Sequence, residues 1–422
     1  MKQATVALET LGCKLNQAET ELLARQFDQA GFRLVDSSQP ADVWILNTCS
    51  VTHIADRKSR HLLRLARRLN PQALLVATGC YVQRAPDELS QMREVDLLAD
   101  NQEKLRLVEI VSNILGTSHY TEASSLSGPG CDGLRTRALV KMQDGCNDFC
   151  SYCIVPYVRG REHSLSADEI INEVQARVDA GYKEVVITGT KLGAYHYNGT
   201  DLKQLLEHIL AKTQVTRLRL SSLQPSDLTT SFLSLWSDTR MCAHIHLPLQ
   251  SGSPSVLQKM RRRYSTAYFE QAVRLARQVI PDVAITTDVI VGFPGEGSQE
   301  FEESYRFCGE IEFAAIHVFP YSARPGTLAA SMPQATSAQV KRERSDKLLG
   351  LSRNAAVQFR RRFLGKTVEV LWENKQGSVW QGLTGNYIRV KTDSRLDLVN
   401  SLGQVRLLDL CQGGMIGELI RS

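Results

Sequence analysis

No apolar run in this 422-residue chain reaches the ~18 residues needed to cross a bilayer, and the segment "MKQATVALETLGCKLN" holds no signal-peptide apolar block. A membrane span and an export route are therefore not expected, and the cytoplasm is the expected address. A strong charge of one sign is also missing. The net charge of +5 suits a nucleic-acid partner but does not argue for one, since many enzymes of neutral substrates carry a similar balance. Apolar residues make up 43% and charged residues 23%, which excludes a disordered chain. The length exceeds one ordinary core, so two or three domains are expected.

Cysteine is what the chain does have. Ten cysteines without an export signal should stay reduced, so their grouping points to metal or catalysis rather than disulfides. Residues 1–117 alternate strand and helix patterns: "ATVALETLG", "ETELLARQFDQAGF", "ADVWILNTCS", the basic "RKSRHLLRLARRL" and "ALLVATGCY". That is an α/β pattern with a parallel sheet. Each of its three strands is followed at once by a cysteine, Cys13, Cys49 and Cys80. Loops at the carboxyl ends of neighbouring parallel strands converge on one crevice, so these three can meet in space.

Residues 118–134 shift to Ser, Gly and Thr without period, the composition of a linker. Six strand candidates follow in residues 135–360, "ALVKMQD", "EVVITGT", "RLRLSSL", "AHIHLPLQS", "AITTDVIVGF" and "AAIHVFPYS", most of them separated by helical stretches. This predicts an open or partial (β/α) barrel. Residues 361–422 turn to short strands with Gly and Asn turns, which predicts a small antiparallel barrel.

Directly after the first barrel strand, "DGCNDFCSYC" sets Cys146, Cys150 and Cys153 at CxxxCxxC spacing. Three thiolates can hold a [4Fe-4S] cluster by three irons and leave the fourth open to a substrate or cofactor. Three small residues at this spacing also suit the buried face of a helix, and a zinc site is a further alternative, although zinc usually wants a fourth ligand and paired CxxC spacing.

The block "KMQDGCNDFCSYCIVPYVRGREHS" resembles the cluster-binding segment of the methylthiotransferase branch of radical S-adenosylmethionine (SAM) enzymes, and "LETLGCKLNQAETE", "NTCSVT" and "TGCYVQRAPDEL" resemble its N-terminal domain. "HIHLPLQSGS", "TTDVIVGFPGE" and "HVFPYSARPGT" also fit, so the resemblance runs over nearly the whole chain. It implies an α/β fold class with an N-terminal open parallel-sheet methylthiotransferase domain, a central partial (β/α)6 radical SAM barrel and a C-terminal antiparallel TRAM barrel. It implies two [4Fe-4S] clusters and SAM as cofactors, with Cys13, Cys49 and Cys80 on the second cluster. Cys131, Cys242, Cys308 and Cys411 have no such grouping and read as ordinary thiols.

For SAM the resemblance points to strand-end positions: Tyr152 beside the adenine, Gly189 and Thr190 at the methionine amino group, and Ser222, Gln250 and Asp288 at the next three strand ends. Each also suits a strand cap or a core hydrogen bond. No protein nucleophile or general base is expected beyond the cluster ligands.

"GCKLNQAETE" and "GCYVQRAPDEL" look most like the branch that converts N6-threonylcarbamoyladenosine in tRNA, 3′ of the anticodon, to its 2-methylthio derivative; the alternatives are N6-isopentenyladenosine in tRNA and a ribosomal protein aspartate. The chain departs from the family after "RGRE", where Leu165 follows Ser164 in place of arginine. The expected partners are a tRNA anticodon stem-loop and an external electron donor, with the chain acting as a monomer and not on a membrane. Arg261, Arg262 and Arg263 in "KMRRRY" can face phosphate or a solvated helix end. Trp372, Trp380, Tyr387, Arg389 and Lys391 suit unpaired bases, or core packing for the aromatics.

Overall fold

A computed structural model describes residues 3–116, 136–333 and 336–420. The expected linker 118–134, with Cys131, lies outside the described residues. Five parallel strands form the N-terminal sheet: β1 (Thr5–Thr10), β2 (Arg33–Val35), β3 (Val43–Thr48), β4 (Leu74–Gly79) and β5 (Leu97–Ala99), in the order β2-β1-β3-β4-β5. The short strands β2 and β5 were not among the three expected from the sequence. β3 is buried at every position, as a strand covered on both faces must be. Helices α1 (Lys14–Gln29), α2 (His53–Leu69) and α3 (Cys80–Arg84) follow β1, β3 and β4, so the three cysteine-bearing turns stand at one edge of the sheet.

The second unit holds six parallel strands in chain order, β6 (Arg137–Asp144), β8 (Glu184–Gly189), β11 (Arg217–Leu220), β12 (His244–His246), β13 (Ala284–Val291) and β14 (Ala315–Pro320). The short strand β7 (His163–Ser164) pairs antiparallel to β6, and β9 (His196–Tyr197) with β10 (Thr200–Asp201) makes a small hairpin. The sheet opens between β11 and β12, where the Leu218–Met241 bridge and a hydrogen bond from Leu223 N to His246 O at 3.0 Å join the halves. One set of alternate residues, such as Val140, Ile187, Leu218, Ile245, Val289 and Ile316, packs beneath the helices in a single apolar core. The other set, Lys141, Glu184, Arg219, His246, Asp288 and His317 among them, must face the lumen because side chains alternate along a strand. Leu165 packs partly buried against that core and its amide donates to Met142 O at 3.0 Å, so the departure from the family pattern serves packing.

α1 packs against the lumen side of the barrel through Ala18, which is buried with Leu139 and Val186. The helix Ala338–Arg361 packs along β14 and leads to a closed barrel of β15 (Thr367–Gln376), β16 (Val379–Thr384), β17 (Arg389–Asp393), β18 (Leu402–Cys411) and β19 (Gly414–Leu419). Its pairs are antiparallel except β17 with β19, which run parallel. The turn between β16 and β17 plugs the amino end of the larger barrel: Arg217 and Arg219 donate to Leu383 O and Gly385 O at 3.2 and 2.8 Å.

Candidate functional site

Cys13 is the residue before α1, Cys49 follows β3, and Cys80 opens α3. Gly12 makes their approach possible: its φ is +111°, and a Cβ there would lie 2.8 Å from the Cys49 sulfur. Burial pushes the Cys49 thiol up to about 12, with Cys80 and Cys13 adding to the rise. Burial also raises Cys80, against the lowering pull of Arg159 and Lys104. Cys13 is exposed and the other two are buried, so the triad is closed on one side and open on the other.

Cys146, Cys150 and Cys153 lie in one loop between β6 and the helical turn Val155–Val158. Gly145 has a φ of +71°, and a Cβ there would meet Arg161 O at 2.0 Å. The loop is pinned from a distance, Ser151 donating through its amide to Met260 O at 3.1 Å and through its hydroxyl to Lys259 O at 2.8 Å. Burial pushes Cys153 up to about 12 and raises Cys146. All nine described cysteines are free thiols.

Two triads of reduced thiols, each with a glycine that brings backbone or sulfur inside a Cβ's reach, fit thiolate-bound iron-sulfur clusters, for which three-thiol ligation leaves one iron open. The zinc alternative finds no fourth cysteine or histidine in the loop. Cys242 and Cys308 are buried in the core away from either group, and Cys411 ends β18.

A cavity of about 370 Å³ connects the two domains at the loop triad. Its walls include Cys146, Cys150, Cys153, Tyr152, Thr190, Ser222, Gln250 and Asp288, with Val51 and Thr52 from the N-terminal domain. Gly189 is not on its wall; a Cβ there would sit 3.0 Å from Gln143 O, so the glycine sets the spacing of β6 and β8. Gln250 holds φ at +66°, a strained setting for a side-chain residue, fixed by hydrogen bonds of 2.8 Å to Asp288 O and from Ile290 N.

The arginine run divides. Arg261 is exposed and Arg263 reaches Asp148 at 3.4 Å from solvent. Arg262 turns inward, a correction to the phosphate-facing expectation: it lines the cavity, donates to the Cys150 sulfur at 3.5 Å and to Gln224 Oε1 at 2.6 Å, and stacks on Tyr264. Trp372 and Trp380 are also corrected. Both are buried in the small barrel's core, and Trp380 Nε1 donates to Leu396 O at 3.0 Å, so neither is free to stack on a base. Tyr387 is held between Arg219 and His244, with ring-centroid distances of 3.9 and 4.5 Å. Arg389 is exposed and Lys391 half-buried on β17.

A buried polar network that the sequence reading missed runs between the triads. Arg159 donates to Asn16 Oδ1 at 2.5 Å, Glu19 Oε1 at 2.9 Å and Asp144 Oδ2 at 2.9 Å. Asn16 accepts from Cys13, and Asp144 accepts from Thr190 at 3.2 Å on the cavity wall. Glu19 also pairs with Lys104 and Lys141 at 2.7 and 2.8 Å. Burial alone would raise Glu19, but these three cations hold its carboxyl well below the usual range. Cys80 packs with Ile154 and Val158, directly beyond Cys153. A second buried bolt joins Arg324 to Asp56 and Ser50 at 2.7 and 3.0 Å. The signal for both was charge beside the cysteine motifs, which pattern reading treats as surface.

Residues 5–100 match the model of the uncharacterized protein family UPF0004, and residues 140–308 that of the radical SAM superfamily. The chain is 37% identical to the threonylcarbamoyladenosine tRNA methylthiotransferase MtaB of Bacillus subtilis (strain 168), over 99% of this chain and 97% of the relative. It is 33% identical to the tRNA-2-methylthio-N(6)-dimethylallyladenosine synthase of Thermodesulfovibrio yellowstonii, over 89% of each chain. Among solved structures it resembles the radical S-adenosylmethionine methyltransferase TsrM of Kitasatospora setae in fold, with a TM-score of 0.57 at 14% identity, over 78% of this chain and 77% of that one.

Proposed function

The chain belongs to the threonylcarbamoyladenosine tRNA methylthiotransferase family, and from that premise we propose that it converts N6-threonylcarbamoyladenosine in tRNA to 2-methylthio-N6-threonylcarbamoyladenosine. The observation that carries the reading is a loop thiol triad on the wall of an inter-domain cavity, with Val51 and Thr52, just past Cys49 of the second triad, on the same wall. When bound, two [4Fe-4S] clusters and SAM supply a 5′-deoxyadenosyl radical and the methylthio sulfur.

The chain's own residues bind and orient. Cys146, Cys150 and Cys153 hold one cluster, and Cys13, Cys49 and Cys80 the other. Arg262 donates toward the Cys150 sulfur and stabilises negative charge there. Tyr152, Thr190, Ser222, Gln250 and Asp288 offer SAM an aromatic face and polar groups inside the cavity, and Gly189 acts from behind the wall. Val51 and Thr52 close it from the N-terminal domain, which limits water around a reactive radical.

The tRNA is bound as its anticodon stem-loop. Arg261 and Arg263 are available to phosphate on one side of the cavity, while Arg57, Lys58 and Arg68 are exposed on α2, whose amino end adjoins the cavity at Thr52. An external electron donor, a monomeric state and a cytoplasmic address complete the proposal; no helix among the described residues is long and apolar enough to cross a membrane.

The test is a reaction of reconstituted protein with SAM, a reductant and tRNA carrying threonylcarbamoyladenosine, read by nucleoside mass spectrometry. The expected result is a mass gain of one methylthio group for hydrogen at that nucleoside. Modification of isopentenyladenosine tRNA or of a ribosomal protein instead would refute the substrate assignment.

A further inference from the structure

The lumen beyond the SAM cavity holds a polar cluster that shares only Asp288 with the cavity wall. His246, Asp288 and His317 come from β12, β13 and β14, with ligand atoms all within 4.8 Å of one another. Asp288 and His317 are register partners, and His246 is oriented by Thr286 at 3.0 Å and by Asp288 at 3.3 Å. Asp288 also lines the cavity that carries the loop triad, so the cluster opens onto the reaction space.

Lys14 enters the same lumen from α1. Its Nζ lies 5.8 Å from the centroid of the Tyr387 ring, and it has no carboxylate partner among the described residues. The other cations around that ring are neutralised, Arg219 by Glu184 at 2.6 Å and Arg137 by Glu373 at 2.8 Å. Lys14 also acts on the histidines: burial holds His317 below its usual range, and Lys14 and His246 push in the same direction while Asp288 opposes them. A lumen cation with no carboxylate of its own offers a place for an anion carried by a ligand.

On the substrate reading of the preceding subsection, we propose that Lys14, with His246 and His317, forms a subsite for the carboxylate of the substrate's threonyl group. Asp288, which stays on the wall of the SAM cavity, and Thr286 orient His246 for that role. An isopentenyl group brings neither charge nor hydrogen bonds and would leave the Lys14 ammonium without an anion, which is how a polar pocket rejects an apolar analogue. Two imidazoles and a carboxylate also suit a divalent cation, but the unpaired Lys14 beside them disfavours a second positive charge.

The experiment measures equilibrium binding of the cluster-loaded protein to three synthetic anticodon stem-loops, carrying threonylcarbamoyladenosine, its threonyl methyl ester, or isopentenyladenosine. The unaltered protein should bind the acid about tenfold to a hundredfold more tightly than the ester. Lys14→Met and His317→Leu should each bring that ratio toward one, and Lys14→Arg should keep it. His317 is far in sequence from every cluster cysteine, so its variant reports even if Lys14→Met disturbs the neighbouring cluster. An unchanged acid-to-ester ratio in both variants overturns the subsite. Equal binding of acid and ester, both tighter than the isopentenyl loop, overturns the subsite and leaves the substrate reading standing. No preference over the isopentenyl loop overturns both. Stoichiometric zinc or manganese in the protein that is lost in His317→Leu would make this a metal site and overturn the proposal.

Discussion

Cys146, Cys150 and Cys153 arrive on a single loop, whereas Cys13, Cys49 and Cys80 are delivered by three strands of the N-terminal sheet. The loop triad depends on local backbone and on distant props, such as the Ser151 bonds to Met260 and Lys259. The sheet triad depends on correct packing of a whole domain. Their electrostatics differ too: Arg262 faces the loop triad, while Arg159 and Lys104 act on the sheet triad from within a buried network. One site can therefore be damaged without the other.

The largest separation should come from the ligands. Cys150→Ala should remove both 5′-deoxyadenosine and methylthio product. Cys49→Ala should still form 5′-deoxyadenosine but no methylthio product, with about half the iron if each triad holds one cluster. Quantifying both products by mass spectrometry alongside iron content checks this, and methylthio product from Cys49→Ala would show that the two sites are not distinct in role.

Next in size is Arg159→Met, which leaves Glu19 and Asp144 without their shared guanidinium. Breaking one side of a buried ion pair costs about 3–5 kcal/mol, measurable by denaturant unfolding. A loss under about 1 kcal/mol would place the network outside the stabilising core. Gly12→Ala should cost about 1–3 kcal/mol through its backbone setting and deplete iron from the sheet triad alone. Iron loss from both sites in that variant would erase the contrast.

Acid should expose the same network. The folded pKa of Glu19 is depressed, so its contribution is fully present above the unfolded value near 4.3 and is lost as pH falls below it. Glu19→Gln should thus flatten the fall in stability below about pH 4.3, as read by unfolding at several pH values. The smallest effect belongs to Arg261→Glu with Arg263→Glu, which should weaken tRNA binding several-fold and reduce its salt dependence by roughly two charges. An unchanged slope would remove these arginines from the interface.

The same contrast governs what could be read before the structure. Spacing exposes the loop triad because its cysteines are neighbours in the chain, and strand-end placement exposes the sheet triad because parallel sheets gather their carboxyl ends. Arg262 was misplaced because one residue in a basic run pointed inward, a matter of the Gln224 and Pro248 contacts that come from elsewhere and of Tyr264 two residues on. The aromatic residues Trp372 and Trp380 filled a core that pattern alone did not distinguish from a stacking surface. Arg159, Asn16, Glu19 and Asp144 form their network only when α1 docks on the barrel, so no local pattern announces it. The polar lumen of His246, Asp288 and His317 was present as alternation in "HIH" and "TTD", a period-two signal that describes which face is polar but not what it meets.

This chain sets the methylthio group on threonylcarbamoyladenosine. Nucleoside mass spectrometry of tRNA from cells lacking the gene, and from the same cells carrying it again, tests this directly. The expected result is that 2-methylthio-N6-threonylcarbamoyladenosine disappears with the gene and returns with it. Disappearance of 2-methylthio-N6-isopentenyladenosine instead, with the threonylcarbamoyl nucleoside unaffected, would contradict it.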